Sequence, residues 1–396
     1  MKLLYLANIR MPTEKAHGLQ IMQNCEAFAQ HGNTVTLMTT RRVNTPEMSK
    51  ISDPFAYYGV EKRFTIERVP CLDLFPLGHR FERIAFPIQT LSYVLVLALI
   101  LIFRRADVYY SRDALTLLAL SLFKPRHALV FEAHQLAKSG TGKRLQTWCV
   151  RRVGLVVAVT GKLAADLRER GAASSITAHD GFRIERFANL SERKVARAQL
   201  GLPVDAFICG YVGQLHTMSM SKGVDTLINA IAKIGNTPVS VCLVGGPQEM
   251  LEQLRTRWRE LGLPEDRFLA PGRVEPSKVP LYIRTFDVCT MTFPWTEHFA
   301  YYASPLKLFE YMAAGGVALC SDLPAVAEVI RDGETGVLVP VGDEQAIAAA
   351  IQRLYTDPQL RERIGKQAQE EAAHYSWYAR AETILERIEE IKAEVH

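Results

Sequence analysis

The stretch "GYVGQLHTMSMSKGVDTLINAI", residues 210–231, begins as a short apolar run, breaks at Gly213 and passes through a polar loop. It resumes with apolar residues at Val224, Leu227 and Ile228, the spacing of one helix face. The stretch therefore reads as a strand, a turn and a helix. Lys222 and Gly223 open that helix, which sets a cation beside a helix start at the carboxyl end of a strand. Working outward, the runs "AFICGYVG", "SVCLVGG", "DRFLAPG", "DVCTMTF", "GVALCS" and "GVLVP" recur after residue 190, each leading into a helix or a glycine-bearing turn. Continuous apolar strands separated by helices mark a parallel sheet covered on both faces.

The first half repeats the pattern with "KLLYLA", "TVTLMTT", "ADVYYS", "HALVFEA" and "GLVVAVT", and with helical segments such as "LQIMQNCEAFAQHG" between them. The expected fold is α/β, with two doubly wound, Rossmann-like domains facing an interdomain cleft. Residues 1–190 form the first domain and 191–375 the second, with the linker within "FANLSERKVARAQLGLP". Ligands of such domains collect beyond the carboxyl ends of the strands. A chain of 396 residues gives each domain enough length to bury a core.

Composition narrows the function classes. Hydrophobic residues at 48% and charged residues at 22% describe a folded chain rather than a disordered one. The seven cysteines are odd in number and form no Cys-x-x-Cys pair, so reduced core thiols are expected in place of disulfides or a zinc site. "MKLLYLANIR" reads as a first strand and not as a signal peptide, and a cytoplasmic location follows as an expectation. The net charge of +5 is uneven: residues 1–190 hold 26 Lys and Arg against 15 Asp and Glu. A basic first half predicts an anionic partner. The cations are dispersed and no nucleic-acid motif accompanies them, so membrane phosphate or a phosphorylated acceptor is favoured over nucleic acid.

Residues 84–103, "IAFPIQTLSYVLVLALILIF", carry no charge and are bracketed by Arg80, Arg83, Arg104 and Arg105. Length permits a membrane span. The following "RRADVYYSRD" is needed as a strand, which favours a buried helix or one that presses a single face on a bilayer at the inner side of the cell membrane.

A second cation sits at "ASPLKLFEYMAAGG", residues 303–316. Ser304 suits the N-cap, Pro305 the first helical position, and Gly315 with Gly316 the stop. Lys307 then falls in the first turn, where a carboxylate would be the stabilising choice. Free amides and Lys307 together suit a diphosphate. Glu310, one turn deeper on the same face, suits vicinal hydroxyls such as those of a ribose. The chain has no Gly-x-Gly-x-x-Gly, no Walker loop and no Asp-x-Asp pair, so neither a dinucleotide cofactor nor a carboxylate-held metal is expected.

Together "PTEKAHGLQIMQNCEAFAQHG", "DVYYSRD", "FEAHQLAK", "GYVGQL", "KGVDTLINAI", "SPLKLFEYMAAGG" and "YSWYARAETILERI" resemble the glycosyltransferases of family 4, which are retaining and of GT-B fold. The resemblance covers essentially the whole chain. It implies that Gly18 forms a tight N-terminal turn near the donor phosphates and that His134 lies near the donor sugar. Lys222 corresponds to the lysine that neutralises the departing diphosphate, the amides of Leu306 and Lys307 to its backbone donors, and Glu310 to the ribose carboxylate. Arg273 and Val274 fall where the family lines its base pocket, and a last helix, 376–396, returns to the first domain.

Two positions depart from the family: Gln214 stands where an arginine is common, and Tyr302 where a second glutamate is common. Lys307 is the expected substitute for the arginine, and Glu297 and His298 for the sugar contacts. The expected reaction is metal-free, retaining transfer from a UDP- or GDP-linked sugar to a hydroxyl acceptor. A lipid-diphosphate-linked acceptor and an anionic membrane surface fit the basic first half. His17 and Arg112 are the acceptor candidates, while Glu14 and Lys15 read as a solvated rim. His134 as a core histidine bonded to its neighbours, and Arg112 as a partner of Asp113, are the plain structural alternatives. A sugar-nucleotide epimerase, a glycosyl phosphorylase and a weakly catalytic binding member are the competing function classes.

Overall fold

The structure, a computed structural model, describes residues 1–75, 82–217 and 220–394. Arg80 and the side chain of Arg83, two of the bracketing arginines, lie outside the described residues. The chain divides into two compact units, Met1–Asp180 with Trp377–His396, and Gly181–Ser376. Residues 181–190 thus belong to the second unit and not, as expected, to the first. Phe182 and Phe187 bury their rings in the second core, and the Phe182 amide donates to the Tyr375 carbonyl at 3.1 Å.

The first unit is built on seven parallel strands in the order Thr65–Pro70, Thr34–Arg41, Lys2–Ala7, Val108–Ser111, Leu129–Ala133, Leu155–Ala158, Ser175–Thr177. The order reverses between Lys2–Ala7 and Val108–Ser111, which is where a doubly wound sheet opens its ligand crevice. The two outermost strands have no apolar run in the sequence. Each has a neighbour on one side only, so "TIERVP" keeps charges that a central strand would exclude. The helices Ala16–Gln30 and Trp377–Ala393 pack together on this unit.

Gly18 is not a tight turn. It lies in the first turn of the Ala16–Gln30 helix, where an added Cβ would stand 2.5 Å from both Thr13 Cγ2 and Tyr58 Oη. Close packing demands the glycine there. Tyr58 holds the preceding loop through the amide and carbonyl of Thr13, each at 2.6 Å.

The apolar segment forms the helix Glu82–Phe103. It is a layer of the first unit: Ala85, Gln89, Tyr93, Val94, Leu97 and Leu101 are buried, Gln89 donates to Asn8 at 2.8 Å, and Tyr93 donates to the Met38 carbonyl at 3.2 Å. Its opposite face is exposed, so the fully buried reading holds for half of its circumference only.

The second unit has six parallel strands in the order Phe268–Gly272, Val239–Gly246, Phe207–Gln214, Val288–Met291, Val317–Ser321, Val337–Val339. The order again reverses beside a central strand, here Phe207–Gln214. Hydrophobic side chains fill both faces, with Phe286, Phe309 and Tyr311 on one and Leu227, Ile228 and Trp258 on the other. All seven cysteines are free thiols, and six of them are buried.

Candidate functional site

In the second unit a cavity of about 440 Å³ opens at the carboxyl ends of Phe207–Gln214 and Val239–Gly246. Gly213, Gln214, Gly245, Gly246 and the pair Arg273 and Val274 line it. The two strand ends touch because Gly245 has φ +136°, and a Cβ there would lie 2.0 Å from the Gly213 carbonyl oxygen. Gly223 is equally constrained: at φ +74°, its missing Cβ would meet the Thr292 carbonyl oxygen at 1.7 Å. Gly213 and Gly245 thus bring two strand ends together at the cavity, and Gly223 brings a helix start against the end of Val288–Met291. Lys222, immediately before Gly223, is half-buried, and burial lowers its pKa from the ordinary lysine value.

The helix Leu306–Ala313 follows the strand Val288–Met291. Pro305, with φ −78° and ψ 109°, flanks it, so Ser304 is not the N-cap and Pro305 is not the first helical residue. The extended ψ keeps Pro305 outside the helix while its carbonyl accepts the Leu308 amide at 2.9 Å. Pro305 has no side-chain group with which to cap this end, and the amides of Leu306 and Lys307 have no acceptor within the helix.

Lys307 turns back toward the strand ends. Its Nζ donates to Tyr211 Oη at 2.8 Å and lies 4.1 Å from the centre of that ring; Tyr211 in turn donates to the Gln214 carbonyl at 2.6 Å. A Cβ on Gly213 would stand 3.3 Å from the same Nζ. Desolvation, then the positive charge of Lys222, holds Lys307 well below the ordinary lysine pKa. The two lysines therefore share one electrostatic site. Gln214 itself is exposed.

Glu310 is half-buried, and burial raises its pKa above the usual carboxylate value. Its Oε1 lies 3.7 Å from Arg186 Nη1, and Arg186 Nη2 also donates to the Pro276 carbonyl. Nothing in the sequence pattern singles out Arg186, because the pairing joins segments far apart in the chain. Tyr302 is buried and donates to Glu297 at 3.4 Å on the π turn His298–Tyr302, where the His298 and Phe299 rings lie 5.5 Å apart.

The first unit holds a second cavity, of about 620 Å³, at the carboxyl ends of Lys2–Ala7, Val108–Ser111 and Leu129–Ala133. His17, Gln20, Phe86, Arg112 and His134 line it. Its floor is organised by Glu132, which is fully buried. Oε1 accepts from Arg112 at 2.7 Å and His134 Nε2 at 2.7 Å and faces Arg380 at 3.2 Å; Oε2 accepts from Tyr110 at 2.5 Å and Asn24 at 3.1 Å. Burial alone would raise this carboxyl's pKa. Arg112 and Arg380, with His134 adding to them, carry it well below the usual range. Arg112 does not pair with Asp113, whose carboxylate instead caps the helix Ala114–Leu120.

His134 is both bonded to its neighbour Glu132 and exposed to the cavity. The half-buried His17 has its pKa lowered by burial and by Arg112. Glu14 pairs with Arg10 at 2.7 Å, and Lys15 is exposed. Glu132, His134 and Asp180 bring three potential metal ligands within 4.8 Å, but two guanidinium groups already occupy the field of the central carboxylate. That electrostatic setting does not suit a divalent cation.

Two parallel-sheet α/β units of this kind define the GT-B fold. Over 98% of this chain and 100% of that chain, the structure resembles Anabaena Alr3699/HepE in complex with UDP, with a TM-score of 0.72 and 19% sequence identity. Residues 192–371, nearly all of the second unit, match the family model described as glycosyl transferases group 1.

Among curated relatives, a D-inositol 3-phosphate glycosyltransferase of Streptomyces bingchenggensis is 29% identical over 238 residues, 56% of this chain and 50% of that protein. A phosphatidyl-myo-inositol mannosyltransferase of Mycobacterium leprae is 35% identical over 167 residues, 41% of this chain and 42% of that protein. The chain thus spans about half the length of the curated relatives it matches.

Proposed function

We propose that the protein transfers a glycosyl group from a UDP- or GDP-linked sugar to a hydroxyl acceptor, retaining the anomeric configuration and without a metal ion. The observation that carries this reading is the reach of Lys307, from the first turn of its helix, to the Gly213 strand end that lines the cavity, with Lys222 adding its charge to the same place. Glycosyl transfer builds oxocarbenium character on the sugar while negative charge collects on the departing diphosphate. Fixed cations and amides aimed at that phosphate stabilise the transition state more than the ground state. No side chain is assigned as covalent nucleophile or base; the leaving phosphate takes the acceptor proton after front-face attack. Arg273 and Val274 line the base end, and Glu310 grips the ribose. Gln214 contributes a backbone carbonyl that anchors Tyr211, which in turn positions Lys307.

The first-unit cavity is the acceptor site in this reading. Glu132 holds Arg112 and His134 facing it, and His17 completes the wall. The family match over residues 192–371 and the relatives named for glycosyl transfer support glycosyl transfer as the reaction. Assembly of a cell-surface glycan or lipid-linked oligosaccharide, on a lipid-diphosphate-linked acceptor at the cytoplasmic side of the membrane, is the setting proposed. Hydrolysis of a panel of sugar nucleotides without acceptor, with and without EDTA, tests the reading. One preferred donor and chelator-resistant release of the nucleotide diphosphate are expected; no turnover of any donor would overturn it.

Three outcomes follow for the donor side. Glu310→Ala removes a charged hydrogen-bond acceptor and is expected to weaken nucleotide diphosphate binding about 10- to 100-fold by calorimetry. The diphosphate favours the ammonium form of Lys307, so above its lowered pKa binding takes up a proton and affinity falls as pH rises. Titrations in buffers of different ionisation enthalpy detect that proton. Adding Gln214→Arg to Lys307→Ala is expected to restore part of the activity that Lys307→Ala alone loses, measured as donor turnover.

A further inference from the structure

The outward face of the Glu82–Phe103 helix carries Ile84, Leu91, Leu95, Leu99 and Ile102, all exposed, with Leu91 at 64%, Leu95 at 60% and Leu99 at 55%. Their spacing keeps them in one row, about 27 Å long at the rise of an α-helix. An outward helix face on a water-facing protein ordinarily carries charge, and residues 84–103 carry none. At the far end Phe103 is 89% exposed.

Lys124 Nζ donates to the Arg104 carbonyl at 3.2 Å, which brings Leu122, 76% exposed, and Phe123 beside that end. Cations rim the same end. Arg105 and Arg126 are exposed, whereas Arg104 is committed to Glu67 at 2.5 and 2.9 Å. At the other end Phe86 is both 58% exposed and part of the 620 Å³ cavity wall.

We propose that this face seats the protein on an anionic lipid bilayer, with the aliphatic row among the acyl chains and Arg105, Lys124 and Arg126 at the phosphate layer. The charge pattern selects this occupant: an uncharged row closed by cations matches an apolar layer bounded by phosphates. The excess of Lys and Arg over the first 190 residues adds long-range attraction of the same sign. The seat does not depend on the chemistry proposed above.

Co-sedimentation of the full chain with vesicles of phosphatidylcholine alone, and of phosphatidylcholine with phosphatidylglycerol, tests the proposal. Binding to the mixed vesicles and at least tenfold weaker binding to the neutral ones are expected. The triple variant Leu91→Gln, Leu95→Gln, Leu99→Gln should bind at least tenfold more weakly with an unchanged melting temperature, and Arg105→Glu with Arg126→Glu should lower binding most at low salt. Wild-type protein that stays in the supernatant with all vesicles overturns the proposal, as does a triple variant that binds fully. Sedimentation velocity without lipid adds a third arm: a wild-type dimer that the triple variant dissociates, together with no vesicle binding, would assign the face to a second copy of the chain. Vesicle binding by a protein that turns over no donor would leave the seat standing and remove the reaction.

Discussion

Lys222→Ala is expected to lower donor turnover by about 10²- to 10³-fold, the usual cost of removing one preorganised donor to transition-state charge. The effect should fall on kcat more than on KM, because charge on the leaving diphosphate is greatest in the transition state. Lys222 is half-buried and has one ammonium to offer, and Lys307 is the cation that shares its field. The loss is therefore not made up by a third group assigned to this site. The fold should survive, since Gly223 and not the lysine side chain sets the local backbone. Steady-state rates with the preferred donor and a circular dichroism melt separate the two effects. Wild-type turnover in Lys222→Ala would remove the residue from the mechanism.

Glu132→Gln is expected to destabilise the first unit by about 3–5 kcal/mol, the cost of leaving buried charges without their counter-charge. Arg112 and Arg380 would both lose the carboxylate that neutralises them. The sign of the pH dependence is fixed by the lowered pKa of Glu132. Its contribution is fully present above the ordinary glutamate value of 4.5 and is lost as pH falls toward the folded-state pKa. Wild-type stability should therefore drop below about pH 4.5 more steeply than that of the variant. Urea unfolding at pH 7 and pH 4 measures both effects. Equal stabilities at pH 7 would mean that the carboxylate does not hold the two guanidinium groups.

The contrast between these residues shows where the sequence was readable. Lys222, Lys307 and Glu310 sit on local patterns, a strand end followed by a helix start, which mark them as candidates, although the Tyr211 and Arg186 side chains that Lys307 and Glu310 meet come from distant segments. The hub at Glu132 was not readable as a hub. "FEAH" marks a strand end, but Arg112 and Arg380 arrive from a different strand and from the last helix. Arg186 was missed for the same reason, since its partner Glu310 and the Pro276 carbonyl are distant in sequence. Gly18 and Ser304 were misread because side-chain identity suggested a turn and a cap, whereas packing against Tyr58 and the backbone angles of Pro305 decided both.

The amino-acid sequence alone determined two parallel α/β units and the strand ends at which the two cavities open, because buried strands need continuous apolar runs and helices need a 3.6-residue period. Only the tertiary structure decided which charges meet. Lys307 folds back over Tyr211 to the end of a neighbouring strand, Glu132 gathers two arginines, and one face of the 84–103 helix is left uncovered. Each depends on which elements become neighbours, and burial and ion pairing arise from that arrangement and not from spacing along the chain.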